Sequence, residues 1–332
     1  MEVGVILAGG VGTRLYPASS ADHPKQFLSF DEDERSLLAR TVERIQDTVD
    51  EVYALTRPEY ADRISDHVPD VRVLTEPEGK DTGPALVYAA HRIRELENDP
   101  VLLCVPSDHY IDSGFQSVTK RAMEVARGTD RLVTLGIEPT RAATGYGYIK
   151  PGENRGDYHE VAGFYEKPDP GAAARYIYND FYWNAGVFAW TPDALLTATR
   201  ETDLAPLVEA LDSDTVSPKQ AFATIDSVSI DYAVLEETDD LAMVAADVTW
   251  EDLGSLDALQ RVYETDDDGN IAIGDVLSID TEDCVIATDE DSHVSAVGVS
   301  DLTIAAYDGR VLVVPNSDTQ RVREVVDQLR EE

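Results

Sequence analysis

Positive charge is scarce in this chain. Its 332 residues include 65 acidic and 27 basic side chains, and lysine occurs at six positions. The formal net charge of -38 argues against a nucleic-acid partner, because phosphate contacts are made mainly by lysine and arginine. Charge of this size repels itself, and salt screens the repulsion, with a Debye length of roughly 3 Å at 1 M. The composition favours a halophilic protein over an ordinary acidic cytosolic one.

Cysteine and long apolar runs are also scarce. Cys104 and Cys284 are the two cysteines, too few for a disulfide framework or a CxxC metal site. Cys104 lies within the apolar run VLLCV, which predicts a buried, inert thiol. The first predicted strand begins at residue 3, which leaves no room for a cleaved signal peptide, and no apolar run reaches membrane-spanning length. We expect a soluble, cytoplasmic protein without a membrane partner.

Strand-like and helix-like segments alternate through the first two thirds of the chain. This order predicts an α/β fold with a mostly parallel, Rossmann-like sheet and helices on both faces. Ligands bind beyond the carboxyl ends of the strands in such sheets, where the segments LAGG and PSD fall. The periodicity predicts strands at 3–7, 51–56, 101–108 and 131–137, and helices at 36–48, 83–97 and 115–127.

The texture of the sequence changes near residue 265. A polar joint, DDDGN, is followed by short β-rich segments from SIDTEDCVIAT to RVLVVP. Residues 318–330 then predict a helix, because Val322, Val325, Val326 and Leu329 share one face. We expect two domains: residues 1–264, and a small β-rich C-terminal domain with a terminal helix at 265–332.

A glycine-rich loop, LAGGVGTRLYP at 7–17, follows the first predicted strand. It is not a Walker loop, because it contains no lysine, and it is not a GxGxxG fingerprint, because position 15 is leucine. Such a loop turns backbone N–H groups onto phosphate, and Arg14 adds a planar cation suited to phosphate oxygens. The alternative is a glycine turn with a surface arginine. Lys25, in HPKQFL, supplies a second cation, and the pair would neutralise a triphosphate.

The pattern LAGG-x-GTRLYP followed by PKQFL resembles the signature of nucleoside-diphosphate-sugar pyrophosphorylases. The PKQF ending is most similar to mannose-1-phosphate guanylyltransferases. The resemblance spans residues 1 to 262, and the tail more weakly. Further segments in that family's order are EPEGKDTGPA (76–85), PSDHYI (106–111), GYGYI (145–149), FYEKP (164–168), NAGVF (184–188), SIDYAVLE (229–236) and WEDLGS (250–255).

The resemblance implies nucleotidyl transfer, in which an oxygen of a sugar 1-phosphate attacks the α-phosphorus of GTP and pyrophosphate leaves. Catalysis then consists of positioning the anions and neutralising charge, and no covalent intermediate is required. This fits a sequence without an evident Ser/His/Asp or Cys/His set. Mannose 1-phosphate is the favoured sugar substrate.

The resemblance also implies roles for individual residues. Arg14, Lys25 and Asp108 would be catalytic, and Mg²⁺, a cation that prefers oxygen ligands, would be held by Asp108 and Asp252. For an isolated Asp such as Asp108, a helix N-cap is the alternative role. His109 is given no role, and Glu251 is expected on a solvated face. The implied nucleotide-binding residues are Leu7, Ala8, Gly9, Gly10, Gly12, Thr13, Arg14, Lys25, Glu76, Thr82, Gly83, Pro84 and Asp108.

For the sugar, Lys167 would grip the phosphate and Glu166 would accept hydrogen bonds from sugar hydroxyls. A strand-end salt bridge between the two is the alternative. Gly83 stands where alanine is common in the family. Trp183 and Trp190 are expected in the core or a pocket wall. The implied substrate-binding residues are Gly145, Tyr146, Glu166, Lys167, Asn184 and Asp231.

Three other functions stay open at this point. The enzyme could use another base or sugar, as a thymidylyl- or uridylyltransferase. A non-catalytic regulatory relative would be expected to lose the loop arginine, the lysine or the aspartates. A fused phosphomannose isomerase module is disfavoured, because only about 65 residues follow the main domain. We expect a homodimer, and we expect Arg14, Lys25 and Lys167 to line one cleft with the two aspartates.

Overall fold

The structure is a computed structural model that describes residues 1–30, 35–213 and 215–331. The strands are β1 (Glu2–Leu7), β2 (Glu51–Thr56), β3 (Arg72–Thr75), β4 (Val101–Pro106), β5 (His109–Ile111), β6 (Leu132–Ile137), β7 (Tyr148–Asn154), β8 (His159–Tyr165), β9 (Tyr182–Trp190), β10 (Leu241–Ala246), β11 (Trp250–Asp252), β12 (Ile271–Ile273), β13 (Asp275–Ile279), β14 (Val285–Thr288), β15 (His293–Val297), β16 (Leu302–Tyr307) and β17 (Arg310–Pro315).

The α-helices are α1 (Leu37–Ile45), α2 (Ala61–His67), α3 (Thr82–Leu96), α4 (Phe115–Thr129), α5 (Pro170–Tyr178), α6 (Pro192–Thr199), α7 (Ala205–Leu211), α8 (Pro218–Phe222) and α9 (Val322–Glu331). Short 3₁₀ helices include Thr13–Leu15, Lys25–Phe27, Leu256–Arg261 and Asn316–Arg321, and Asp231–Leu235 is a π-helical turn. Within the described ranges, no helix is long and apolar enough to cross a membrane. The bounds of these strands and helices confirm the elements predicted in the first 137 residues, with small shifts at their ends.

Two compact units divide the contacts of the chain. The first contains Met1–Gly9, Val42–Pro106 and Asp112–Thr249, and the second contains Gly10–Thr41, Ser107–Ile111 and Trp250–Glu332. Each unit is thus assembled from separate stretches of sequence. The predicted domain boundary at residue 264 was based on the change in composition along the chain, and it stays a prediction.

The first unit is built on a mixed sheet with the strand order β3-β2-β1-β4-β9-β6-β10-β8-β7. The β1–β2, β1–β4, β2–β3 and β6–β10 pairs are parallel, as predicted. Strand β9 runs antiparallel to β4 and β6, and β8 runs antiparallel to β7 and β10. The prediction of a mostly parallel Rossmann-like sheet is therefore wrong for the part of the sheet from β9 to β7, which is mixed. Strands β7 and β8 follow each other through a short turn, and a short connection allows only antiparallel pairing.

Apolar side chains fill the centre of this sheet. Strands β1 and β4 are buried almost throughout, and both Cys104 and Trp190 have no exposed surface. The predicted burial of Cys104 is confirmed, and burial raises the pKa of its thiol. In the register, Leu7 pairs with Pro106. The glycine loop and the PSD segment therefore leave the sheet from adjacent strand ends.

The second unit contains stacked parallel rungs. Strand β14 pairs in parallel with β12 and β16, and β13 pairs in parallel with β15. This repeated parallel stacking gives the C-terminal part a β-helix-like form. The predicted terminal helix is confirmed from Val322 onward, although the preceding turn, Asn316–Arg321, is 3₁₀.

Candidate active site

The glycine loop continues into the second unit and packs against Lys25. Gly12 has φ of 81°, in the left-handed region, and a β-carbon there would stand 2.6 Å from Cβ of Lys25. Glycine is required at this position for both reasons. The backbone N–H of Lys25 donates to the carbonyl of Val11 at 3.2 Å, which fixes Lys25 beside the loop. The 3₁₀ turn Thr13–Leu15 then presents Arg14.

Lys25 forms an ion pair with Asp108. The Lys25 Nζ donates to Oδ2 of Asp108, whose side chain is 3% exposed. Burial raises the pKa of Asp108, but the charges of Lys25, His109 and Arg14 and the Lys25 hydrogen bond outweigh it and lower the pKa overall. Asp108 is thus held as a carboxylate. Two residues that the sequence placed in the catalytic set are in direct contact.

Arg14 lies beside Asp252. The Nη2 of Arg14 is 3.7 Å from Oδ2 of Asp252. Strand β11 pairs antiparallel with β5, so that Asp252 stands opposite His109, and the N–H of Leu253 donates to the carbonyl of Asp108 at 3.3 Å. This pairing brings the two aspartates together although they are far apart in sequence. Arg14, Lys25, Asp108 and Asp252 therefore form one cluster in the second unit.

Two neighbours of these aspartates have structural contacts. His109 accepts a hydrogen bond from the indole of Trp250 at 3.2 Å and packs edge-on against its ring, consistent with a packed histidine. Glu251 is 3% exposed and its Oε1 accepts from Nε of Arg261 at 2.8 Å. The expected solvated position of Glu251 is therefore wrong. It points to the opposite face of β11 from Asp252, since successive side chains of a strand alternate.

A second cluster, in the first unit, contains Glu166 and Lys167. Nζ of Lys167 donates to Oε1 of Glu166 at 2.6 Å, and the Glu166 side chain is 6% exposed, whereas that of Lys167 is 54% exposed. Lys167 has φ of 45°, a left-handed conformation that is uncommon for residues other than glycine. The Glu166 Oε2 is buried without a hydrogen-bond partner among the described residues. The salt bridge given as the alternative is thus present, and the role of Glu166 towards sugar hydroxyls stays a prediction.

Asn184 and Asp231 extend this cluster. Nδ2 of Asn184 donates to Oδ1 of Asp231 at 2.8 Å, and its Oδ1 accepts from the Thr134 hydroxyl at 2.8 Å. Burial and the neighbouring Glu166 carboxylate raise the pKa of Asp231 to about 7. Sequence reasoning missed Thr134 and also Glu236, which accepts the backbone N–H of Glu166 at 2.8 Å. Thr134 was not singled out because it lies within the predicted apolar strand at 131–137. Glu236 lies in the SIDYAVLE motif, but it was given no role.

Tyr146 belongs to an aromatic cluster. Its ring packs edge-on against Trp183 with centroids 5.3 Å apart, and its hydroxyl accepts from Arg141 at 3.1 Å. The Arg141 guanidinium also lies 5.1 Å from the Trp183 ring. A β-carbon on Gly145 would meet no atom within 4 Å among the described residues. The structure thus gives Tyr146 a fixed environment, and the role of Gly145 stays a prediction.

The segment expected to read the base begins at Glu76. Burial raises the pKa of Glu76 to about 7, and a β-carbon on Gly9 would stand 2.9 Å from its Oε1. Ala8 is buried, and its N–H donates to the carbonyl of Leu55 at 2.8 Å. Gly9 is therefore a position at which the loop backbone passes close to a buried acid.

Thr82 and Gly83 hold the start of α3 against the segment before Asp231. The Thr82 hydroxyl accepts the N–H of Ile230 at 3.0 Å, and the N–H of Gly83 donates to the carbonyl of Val228 at 3.0 Å. A β-carbon on Gly83 would stand 2.7 Å from that carbonyl oxygen. This close approach explains glycine where the family commonly has alanine. Pro84 is buried in the same turn.

The carboxylates of the second unit fit a divalent cation by their chemistry. Asp108 lies in the turn before β5 and Asp252 ends β11, and both carboxylates are hard oxygen donors. Mg²⁺ usually binds one or two carboxylates together with phosphate and water. No group of three or more His, Cys, Asp or Glu side chains suited to a metal occurs in the part of the chain that the structure describes. Asp108 and Asp252 are two carboxylates, within the number that Mg²⁺ usually takes from a protein.

Comparison with known protein families gives the same picture. The family model described as nucleotidyl transferase matches residues 3–269. The chain belongs to this family. A second model, described as a MannoseP isomerase/GMP-like beta-helix domain, matches residues 274–329, in agreement with the parallel rungs of the C-terminal part. The protein is thus a nucleotidyltransferase with a C-terminal β-helix-like domain.

Relatives with curated names share the whole length of this nucleotidyltransferase. One from Vibrio cholerae is 35% identical over 100% of this chain and 75% of its own. A mannose-1-phosphate guanylyltransferase from Salmonella muenchen is 34% identical over 98% of this chain and 73% of its own. A crystal structure described as mannose-1-phosphate geranyltransferase from Thermus thermophilus is 33% identical, covers 99% of each chain and has a TM-score of 0.90.

Proposed function

We propose that this nucleotidyltransferase transfers GMP from GTP to mannose 1-phosphate and releases pyrophosphate. The observation that carries the proposal is the pairing of Arg14, in the glycine loop, with Asp252, and of Lys25, beside that loop, with Asp108. The name of the Salmonella muenchen relative supports the base and the sugar. A non-catalytic relative is disfavoured, because it would be expected to lose the loop arginine, the lysine or the aspartates, and Arg14, Lys25, Asp108, Lys167 and Asp252 are all present.

The second unit would handle the triphosphate. The N–H groups of the glycine loop and the Arg14 guanidinium would bind phosphate oxygens, and Lys25 would neutralise charge on the α-phosphate or the leaving pyrophosphate. In the structure, each cation is paired with an aspartate. On nucleotide binding, each would exchange that aspartate for a phosphate oxygen. Asp108 and Asp252 would hold Mg²⁺, which supplies charge neutralisation and orientation of the phosphates.

The cluster around Glu166 in the first unit would bind the sugar phosphate. Lys167 is exposed and would bind the phosphate, whereas the buried Oε2 of Glu166 would accept a sugar hydroxyl. Asn184 orients Asp231 by its hydrogen bond. The phosphate oxygen then attacks the α-phosphorus, and the bond from that phosphorus to the leaving pyrophosphate breaks. The placement of Lys167 in one cleft with Arg14 and Lys25 stays a prediction.

A substrate matrix tests this function. Pyrophosphate release is measured for GTP, ATP, UTP and dTTP, each with mannose 1-phosphate and glucose 1-phosphate, with Mg²⁺ or with EDTA. We expect the highest kcat/KM for GTP with mannose 1-phosphate and no turnover in EDTA. Preference for dTTP or UTP would replace the proposed base, and full activity in EDTA would remove the metal role of Asp108 and Asp252.

We further propose a halophilic, cytoplasmic homodimer. The net charge of -38 supports the salt requirement. Among the described residues, aspartate occupies eight of the nine non-glycine positions with positive φ, where asparagine would serve the backbone equally well without adding charge. A thermal unfolding midpoint that rises between low and molar KCl, together with a dimeric mass in solution, would support this; equal midpoints or a monomeric mass would contradict it.

A further inference from the structure

The arginine of the glycine loop is held from two sides within the second unit. Its Nη1 donates to Oε1 of Gln320 at 3.0 Å, and its Nη2 lies 3.7 Å from Asp252. A β-carbon on Gly254 would stand 2.7 Å from the same Nη2, so the glycine after Leu253 leaves the space that the guanidinium occupies. The Arg14 side chain is 36% exposed and can still meet a ligand. Its position is defined by three residues from the C-terminal part of the sequence.

The helical turn that carries Gln320 is itself fixed. Thr319, the preceding residue, is buried, and its hydroxyl donates to the carbonyl of Asn316 at 3.3 Å. Nδ2 of Asn316 donates to the carbonyl of Asp283 at 2.8 Å, and Oδ1 of Asn316 accepts from the Thr303 hydroxyl at 2.8 Å. These hydrogen bonds tie the turn Asn316–Arg321 to β16 and to the segment before β14.

The loop backbone rests on the same part of the chain. Leu15 follows Arg14, has no exposed surface, and belongs to one apolar cluster with Leu256 and Val322. Leu256 follows the WEDLGS motif, and Val322 begins α9. Packing thus sets the position of the Arg14 backbone, while Gln320 sets the direction of its guanidinium.

We propose that Gln320 is a positioning residue for nucleotidyl transfer, which makes the C-terminal β-helix-like domain a component of the triphosphate site. A neutral amide suits this role, because it accepts a hydrogen bond from Arg14 without adding a negative charge that would repel the triphosphate. For the reaction itself the inference rests on the proposed function. The position of Arg14 rests on the contacts described above, and its binding of phosphate is part of the proposed function.

The test compares three variants of the full chain. Gln320→Met removes the amide and keeps the side-chain length, Gln320→Glu adds a charge, and Gln328→Met, at an exposed position of α9, is the matched control. Affinity for inorganic triphosphate with Mg²⁺ is measured by calorimetry, and KM for each substrate by pyrophosphate release. We expect Gln320→Met to weaken triphosphate binding and raise the KM for GTP roughly three- to tenfold. The KM for mannose 1-phosphate and both properties of Gln328→Met should not change.

Charge and coupling separate positioning from a general effect on folding. We expect Gln320→Glu to lose more affinity than Gln320→Met and to recover part of it in molar KCl, because salt screens the added charge. In an Arg14→Met background, Gln320→Met should cause no further loss of triphosphate affinity. Three results would overturn the proposal. The first is a triphosphate affinity of Gln320→Met within twofold of wild type, and the second is a wild type that does not bind triphosphate. The third is that Gln320→Met loses as much affinity in the Arg14→Met background as it does alone. If no substrate pair releases pyrophosphate, the proposed function fails, and triphosphate affinity still decides the role of Gln320.

Discussion

Replacing Lys25 by methionine separates its contribution to stability from its contribution to catalysis. The variant keeps the length of the side chain and removes the ammonium group that donates a hydrogen bond to Asp108. Asp108 is 3% exposed and Lys25 is 22% exposed, so the pair is mostly shielded from water. The variant therefore leaves a buried carboxylate with weaker compensation, a change that destabilises folded proteins strongly.

The magnitude follows from burial and from the remaining charges. Removing one partner of a fully buried ion pair costs about 3–5 kcal/mol. Arg14 and His109 also favour the Asp108 carboxylate, and Lys25 is partly exposed, so we expect about 2–3 kcal/mol at pH 7. Because the loss comes from an unpaired charge, adding Asp108→Asn to the same chain should recover most of it. Neither variant should recover catalysis, and kcat should fall by about 100-fold or more, since one cation of the transition state is missing.

The pH dependence has a defined sign. In the wild type, the pKa of Asp108 is lowered on folding, so the pair stabilises above the unfolded pKa near about 3.9 and loses this effect as the pH falls through the lower folded value. In Lys25→Met, burial without the ammonium ion raises the pKa of Asp108 relative to the wild type. The difference in stability between the two proteins should therefore be largest near pH 7 and shrink towards pH 4.

Thermal unfolding at pH 7 and pH 4 and pyrophosphate release together measure these effects. Lys120 lies at an exposed position of α4, so Lys120→Met is a matched control. It removes one lysine without taking the ammonium partner from a buried carboxylate. The reasoning is refuted if Lys25→Met unfolds at the wild-type temperature at pH 7. It is also refuted if the double variant with Asp108→Asn is no more stable than the single one.

Three further predictions concern other parts of the chain. The pKa of Asp231 is raised to about 7 on folding, so wild-type stability relative to Asp231→Asn should fall as the pH rises from about 4 to 7, measured by thermal unfolding. Gly83→Ala should destabilise by about 1–3 kcal/mol, because its β-carbon meets the Val228 carbonyl, whereas Gly128→Ala in α4 should not destabilise. Arg261→Met should lower the unfolding midpoint by removing the guanidinium that pairs with the buried Glu251, and adding Glu251→Gln should restore part of the loss.

Periodicity predicted individual elements better than it predicted their arrangement. Strands β1, β2, β4 and β6 and helices α1, α3 and α4 follow from apolar spacing, and these strands form the β1–β2 and β1–β4 parallel pairs. The other two parallel pairs involve β3 and β10, which were not predicted. The position of β9 between β4 and β6 depends on contacts between segments far apart in sequence, and no local pattern encodes it. A sequence of alternating elements therefore predicted the fold class correctly and half of the sheet incorrectly.

Motifs predicted the charged residues of the candidate site, but not the residues that position them. Asp108 and Asp252 were paired from the resemblance alone. The β5–β11 ladder pairs Asp252 with His109, the neighbour of Asp108, and a shared metal stays a prediction. Gln320 carries no signal of its own, because a glutamine in an exposed polar turn is ordinary in sequence. Glu251 was misjudged because charge alone suggests solvent, whereas its partner Arg261 lies in the next helical turn.

The ion pairs of Arg14 and Lys25 affect how a nucleotide would bind, because this chain has few other cations. Arg14 and Lys25 already have carboxylate partners, so a nucleotide that arrives alone must compete with Asp252 and Asp108 for them. A divalent ion that engages these aspartates would remove the competition, because each carboxylate then has a cation of its own. GTP affinity should therefore rise steeply when Mg²⁺ replaces EDTA. The rise should be smaller in Asp252→Asn, because this variant lacks the carboxylate that competes with the nucleotide for Arg14. Equal GTP affinities in Mg²⁺ and EDTA for the wild type would show that the ion pairs do not compete with the nucleotide.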